Sequence, residues 1–396
     1  MRYADRITFL EDRSLLEAFS LPKDDSLISF AAGFPSPDSY PMEEIEEAFM
    51  KTIKEAGPAA FSYATTQGLD SLREEILKRM KEKLKVSFSM EEIIITSGSQ
   101  QGVDMSGMLF VNKDDIILFE TPSYLGAVNA LRTYEAKLIG IPTDKDGIII
   151  DELKKSLVEY GDLVKMIYVI PDYQNPTGRS WSCERRKDFI NAMKDYDIPV
   201  IEDGAYSEIA FDTEPLRPLV SYDEKGQVIY VGTFSKIFSP GLRVAWLCAR
   251  KDIMEKYLVL KNASDLASAT ITQYQMDYYL KHFDMDKHIE KITTLYRHRR
   301  NVMADAIDRF FPEEAKYLLP KGGLFIWVEL PPEKDTRELL KRALAKNIAF
   351  IPGSAFYPSN RKYNEMRLNF SNLEDEDIIS GIEILGEVTK KYLEEG

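Results

Sequence analysis

Cysteine is almost missing from this chain of 396 residues: only Cys183 and Cys248 are present. Two cysteines cannot build a disulfide framework, and no Cys-x-x-Cys spacing occurs, so a reducing cytoplasm is the expected compartment. Histidine is also scarce, with three residues, His282, His288 and His298. At about 100° per residue they would leave one helix in three directions, so a metal-binding face is not expected. Long apolar runs are lacking, and none approaches the ~20 residues of a membrane span. The opening "MRYADRITFLEDRSLL" carries charges where a signal peptide needs an apolar core. Positive charge is in deficit: 51 Lys and Arg stand against 65 Asp and Glu, a net charge of -14. No basic stretch is long enough for a nucleic-acid footprint, which disfavours that partner class, though an acidic balance alone names no other. Internal repeats and low-complexity linkers are absent too.

What is present is a series of short Ile/Val-rich runs. They are "EIIIT" (92–96), "DIILFE" (115–120), "AKLIGIP" (136–142), "KMIYVIP" (165–171), "IPVIED" (198–203), "QVIYVGT" (227–233) and "RVAWLCA" (243–249). Near-continuous apolar segments are the mark of strands buried on both faces. Amphipathic stretches such as "SCERRKDFINAMKDYD" lie between most of them. Alternating strand and helix predict an α/β fold, a mostly parallel seven-stranded sheet covered by helices. The last two runs are joined by "FSKIFSPGL", which has no helical pattern, so one antiparallel strand is expected there. After about residue 285 the texture changes to a long charged helix, then "GGLFIWVELP", "NIAFIPGSAF", "EMRLNFS" and a final helix. This reads as a smaller α+β domain, residues 285–396, joined by 1–45, beside a large domain over 46–284.

In α/β sheets, ligands gather at the carboxyl ends of the strands. "EIIIT" is followed by "SGSQQGVD", where a helix beginning near Ser99 and Gln100 would aim free N–H groups at an anion. A serine-capped helix with no ligand reads equally from the same residues. Tyr124 in "TPSYLGA" would stand at the sheet edge, as a ring cover or as an ordinary core tyrosine. Asn175 in "DYQNPTGRS" precedes a proline and is biased to an extended conformation, and Asn-Pro is also a plain turn signal. Asp203 ends the apolar run 198–203, with Tyr206 three residues on. Its carboxylate would cap a helix or hold a cation. Lys236 lies in "GTFSKIFSPGLRVAW" (232–246), with Thr233, Ser235 and Arg243 around it. A lysine desolvated or set beside another cation has a lowered pKa and becomes a nucleophile for aldehydes. Together these residues supply what pyridoxal phosphate requires: an amine, a carboxylate for the ring nitrogen, donors for the phenolate oxygen, an aromatic cover and an anion site.

The series "SFAAGFPSP", "SYATTQGLDSLRE", "TSGSQQGVD", "ETPSYLGA", "PDYQNPTG", "EDGAYSE", "TFSKIFSPGLRVAW", "PKGGLFIWVELP", "IAFIPGSAFY" and "MRLNFS" runs in order over nearly the whole chain. It resembles the class I/II pyridoxal-phosphate aminotransferases of fold type I, in particular the subgroup of 2-aminoadipate aminotransferases and kynurenine aminotransferase II. The resemblance implies that Lys236 holds the cofactor as a Schiff base and moves the substrate proton, and that Asp203 faces the pyridine nitrogen. It implies that Asn175 and Tyr206 bind the phenolate oxygen and that Tyr124 stacks on the ring. Ser99, Gln100, Ser235 and Arg243 would hold the phosphate. Relatives often carry a serine where this chain has Thr233, whose hydroxyl would make the same contact. Tyr63 would reach the phosphate of the other subunit in a homodimer. Arg367 would clamp the substrate α-carboxylate, with Gly33 beside it. The implied reaction moves an amino group from an L-amino acid to a 2-oxo acid, by family habit 2-oxoglutarate. A carbon–sulfur lyase on the same cofactor is the alternative. Regulators that carry this fold behind a DNA-binding module are not expected, because the pattern begins by residue ~30 and a winged-helix module must precede it.

Substrate choice is where the chain departs from the subgroup. Aminoadipate-using relatives place an arginine in an N-terminal helix against the distal carboxylate. Here the corresponding position falls on Leu16, with Arg13 one helical turn earlier. Leu15, Leu16 and Phe19 read as an apolar lid, so aromatic and aliphatic donors are expected to lead and 2-aminoadipate to be weaker.

Overall fold

The computed structural model describes residues 2–4, 6–7 and 27–395. Arg13 and Leu16 lie outside the described residues.

After a short strand β1 (Ile28–Ser29), the chain builds one large sheet from eight strands. These are β2 (Ile93–Ser97), β3 (Ile116–Thr121), β4 (Lys137–Asp144), β5 (Gly147–Ile148), β6 (Val164–Val169), β7 (Val200–Asp203), β8 (Val228–Thr233) and β9 (Val244–Cys248). Their spatial order is β2-β9-β8-β7-β6-β3-β4-β5. All seven runs read from the sequence are strands of this sheet. The eighth, β5, corrects the expected count: it forms a hairpin on β4 with Asp144 opposite Gly147, too short to leave a hydrophobic pattern. The pairs β3–β4, β3–β6, β6–β7 and β7–β8 are parallel. β9 is antiparallel to both β8 and β2, as expected for the pair joined by the helix-free stretch.

The apolar runs are continuous because both faces of the sheet are covered. In β3, Ile117 and Phe119 enter one core while Ile116 and Leu118 enter the other, all nearly or fully buried. Successive side chains on a strand point to opposite faces, so a strand with two buried faces has no polar positions left. Each Ile or Leu so buried contributes roughly 1.5–3 kcal/mol.

Beyond the helix Met285–Phe310, a second sheet is antiparallel, built from β10 (Lys316–Tyr317), β11 (Phe325–Glu329), β12 (Ile348–Ala349), β13 (Ile351–Pro352) and β14 (Glu365–Asn369), less β12. Its order is β10-β11-β14-β13. β12 pairs instead with β1, in parallel. Phe30 N–H then donates to Ala349 O at 2.8 Å, and Asn369 N–H donates to Phe30 O at 2.9 Å. The Gly/Pro-rich stretch 31–41 is thereby anchored to the second sheet, and it runs from there toward the edge of the first. Among the described residues no helix is long and apolar enough to cross a membrane.

The sheet topology fixes where chemistry can gather. Strands β2, β3, β6, β7 and β8 all run one way, so Ser97, Thr121, Val169, Asp203 and Thr233 end at one edge. β9 runs the other way and begins at that edge, which delivers Arg243, the residue before it, to the same place.

Candidate active site

Asp203 closes β7 and is 3% exposed. Tyr168 O–H donates to its Oδ2 at 2.7 Å, and Ala205 N–H donates to Oδ1 at 3.1 Å. Burial raises its carboxyl above the ordinary carboxylate range, opposed by these donors and by Lys236. Among the described residues it makes no ion pair. A buried carboxylate in that condition fits a cationic partner.

Lys236 follows β8 and is partly exposed, yet its amine turns inward. Nζ donates to Gly33 O at 2.8 Å, across 203 residues of sequence. Burial first, then the neighbouring Arg367 charge, push this amine down to about 8, with Asp203 pulling the other way. About a tenth of such an amine is neutral at pH 7, against about one in three thousand for an ordinary lysine.

Arg367, at the middle of β14, is 5% exposed. Its Nη1 donates to Asn175 Oδ1 at 2.9 Å and its Nη2 to Ala31 O at 2.5 Å. Nε is buried and has no hydrogen-bond partner. Burial lowers this guanidinium to about 10, with Tyr206 and Tyr124 opposing. Neither Arg367 nor Lys236 makes an ion pair with a carboxylate among the described residues. Two cations held together without counter-charge are costly unless an anion joins them.

Asn175 Nδ2 donates to Tyr206 O–H at 3.3 Å, so the two groups expected to share one ligand oxygen are neighbours. Tyr124 caps the helix Leu125–Arg132, and Gly126 leaves space for its ring: a Cβ there would lie 2.4 Å from the Tyr124 oxygen. Burial and the Asp203 charge raise the Tyr124 phenol above its ordinary range.

The helix start expected to meet an anion does not follow the alternative of a serine cap. The helix Ser99–Phe110 is capped by Gly98, at φ 81° and ψ 160°, with no side-chain cap. The backbone N–H groups of Ser99 and Gln100 open that helix, where no intrahelical acceptor exists. Gln100 turns its side chain aside, donating Nε2 to Gly126 O at 2.8 Å. Arg243 lies over the cap: a Cβ on Gly98 would stand 1.9 Å from its Nη2. That Nη2 donates to Ser97 O at 3.3 Å. Ser235 is 7% exposed, and its N–H donates to Thr233 Oγ1 at 3.1 Å while the two hydroxyls lie 3.0 Å apart. Thr233 thus orients Ser235.

Lys236, Asp203, Asn175, Tyr206, Tyr124, Arg367 and Gly33 therefore converge, with Ser99, Gln100, Thr233, Ser235 and Arg243 at one end of the group. Tyr63 does not join them within one chain. It is 89% exposed, on a surface hollow of about 520 Å³ that it lines with Phe61 and residues 267–271. Several partners left no sign in the sequence. Tyr168 sits inside an apolar run, Ala31 contributes only a carbonyl, and Phe325 and Phe356 read as core. Their rings nonetheless flank Arg367 at 4.3 and 4.9 Å.

The pattern of the family described as "Aminotransferase class I and II" matches residues 25–385. The chain is 36% identical to aromatic-amino-acid aminotransferase 1 of Thermococcus litoralis over 394 residues, 99% of this chain and 94% of that protein. It is 33% identical to 2-aminoadipate transaminase of Thermus thermophilus over 387 residues, 97% and 95% of the two chains. A crystal structure of kynurenine aminotransferase from Pyrococcus horikoshii, in complex with PMP and with kynurenine as substrate, superposes with a TM-score of 0.91 at 36% identity. It covers 99% of this chain and 96% of that one. With a buried carboxylate that makes no ion pair among the described residues, a weakly basic lysine and a glycine-capped helix start on one sheet edge, the chain belongs to the class I and II aminotransferases, pyridoxal-phosphate enzymes of fold type I that transfer amino groups between amino acids and 2-oxo acids.

Proposed function

We propose that the converging residues divide the work of transamination as follows. The observation that carries the reading is the meeting of Lys236 and Arg367, two cations that make no carboxylate ion pair among the described residues, beside Gly33. Lys236 would take the cofactor aldehyde, and its amine, once released, would move the proton at the substrate α-carbon. Asp203, anchored by Tyr168, would hold a proton on the ring nitrogen. Asn175 and Tyr206 would donate to the phenolate oxygen, and Tyr124 would cover the ring. The N–H groups of Ser99 and Gln100, the Ser235 hydroxyl and Arg243 would hold the phosphate, with Thr233 setting Ser235. When bound, pyridoxal phosphate supplies an electrophilic aldehyde and an electron-withdrawing ring. Arg367 would receive the substrate carboxylate in two parallel hydrogen bonds, fixing which α-carbon bond stands next to Lys236.

Residues 46–284 would form the cofactor-binding domain, since β2 to β9 all fall within it. Residues 1–45 with 285–396 would form a smaller domain that closes over substrate. The pairing of β1 with β12 supports that grouping. A homodimer is the proposed assembly, supported by the exposed Tyr63 and its neighbour Phe61, both more than half exposed. Two free cysteines support a reducing cytoplasm.

For the amino donor, the apolar reading of Leu16 and its neighbours favours aromatic and aliphatic side chains, with 2-oxoglutarate as acceptor. Measuring kcat/KM with leucine, phenylalanine, kynurenine and 2-aminoadipate tests this, with Lys236→Ala as the blank. Leucine or an aromatic donor should lead. A lead for 2-aminoadipate that Arg13→Ala removes would make Arg13 the specificity residue instead.

A further inference from the structure

Lys261 is a fully buried lysine that the transamination reading does not use. It lies in the last turn of the helix Lys251–Ser264. Its ammonium donates to the Asp265 carboxylate at 3.0 Å, to Gln101 Oε1 at 3.1 Å and to Ser268 Oγ at 3.0 Å. All three of its N–H directions are used.

The partners lead to the anion turn. Gln101 Oε1 also accepts from the backbone N–H of Ser97 at 2.8 Å, and its Nε2 donates to Asp265 Oδ2 at 2.7 Å. The amide of Gln101 is therefore fixed from both ends. Ser97 is the last residue of β2, and its carbonyl accepts from Arg243. Its hydroxyl lies 3.2 Å from that of Ser268. Gly98 comes next, and then the N–H groups of Ser99 and Gln100. An ion pair that buries a lysine is seldom a gain in stability over apolar packing. Here it holds the side-chain acceptor of the backbone N–H of Ser97.

We propose that Lys261 is a positioning residue for the phosphate-binding turn: through Gln101 it fixes Ser97 and Gly98, and so the aim of Ser99, Gln100 and Arg243. The inference rests on the reading above, in which that turn holds the cofactor phosphate.

The test is equilibrium dialysis of the full-length protein against pyridoxal phosphate and, in a parallel arm, against pyridoxal, which lacks the phosphate. Lys261→Met keeps the apolar stem and removes the ammonium. Gln101→Met keeps the Lys261–Asp265 ion pair and removes the amide that joins it to Ser97. The double variant Lys261→Met, Asp265→Asn removes the bare carboxylate as a cause. Each should weaken pyridoxal phosphate by about 10–100-fold, the range that outer-shell partners of a bound ion carry. Pyridoxal should stay within about twofold of wild type, the scatter of independent sites. Equal losses for both ligands would overturn the proposal, and so would unchanged binding of both. Recovery of pyridoxal phosphate binding in the double variant would place the fault on the bare Asp265 and overturn it as well. If Lys261→Met does not fold, Gln101→Met decides by the same two arms. Wild type that binds neither ligand would instead overturn the cofactor reading, and this inference with it.

Discussion

Arg367 lies over the rings of Phe325 and Phe356, with Asn175 and a backbone carbonyl holding its two terminal nitrogens. A planar guanidinium so fixed presents its free edge in one direction, which a flexible lysine would not. Because every amino acid shares the α-carboxylate, Arg367→Ala should lower kcat/KM for all donors alike. The expected loss is on the order of 2–5 kcal/mol, the cost of removing one partner of a buried charged contact. Steady-state kinetics over several donors check it. A loss confined to one donor would mean that Arg367 reads the side chain. The residue itself was legible in "MRLNFS", but its stacking partners were not, because a phenylalanine beside a cation and one in a core are written the same way. Lys261 was hidden for a similar reason. It is one of 51 basic residues, and only its burial distinguishes it.

At the scale of elements, the turn from β2 into the helix Ser99–Phe110 is the sharpest dependence on one residue. Gly98 holds a backbone conformation open almost only to glycine. A side chain there also meets Arg243. Gly98→Ala should therefore cost about 1–3 kcal/mol of stability and loosen the hold on the cofactor phosphate together. Denaturant unfolding and cofactor dialysis on the same preparation measure the two effects. Unchanged midpoint and unchanged binding would show that the turn tolerates a Cβ. The long strands were legible because burial on two faces leaves uninterrupted Ile and Val. The two-residue strands β1, β5, β10, β12 and β13 were not, since their pairing is set by neighbours distant in sequence. The serine cap was the alternative at this helix start because cap preference ranks side chains that reach back to the helix, whereas Gly98 holds the cap position.

For the whole molecule, the question is whether one chain holds a complete site. Tyr63 stands away from Lys236 on an exposed surface, as a residue serving a second subunit would. Mixing Tyr63→Ala protein with Lys236→Ala protein would then create hybrids with one doubly damaged site and one intact site. Activity should return on mixing once subunits exchange. Exchange verified by mass labelling without any return of activity would mean that each chain builds its own site. The large and small sheets were separable in the sequence by their texture, but the crossing of the 31–41 stretch between them was not, since its ties are backbone bonds that no side-chain pattern records.

The bond from Arg367 to Ala31 joins positions 336 residues apart, and that from Lys236 to Gly33 joins positions 203 apart. This span has a consequence for how the protein is born. A ribosome adds roughly 5–20 residues per second, so Lys236 emerges many seconds before Arg367 does. Until β14 is in place, the neighbouring guanidinium is missing. During that interval the Lys236 amine lacks the Arg367 charge that adds to burial in lowering its basicity. If Lys236 is the proposed cofactor amine, its full reactivity toward aldehydes would wait for chain completion, and cofactor capture would be a late, post-synthetic event.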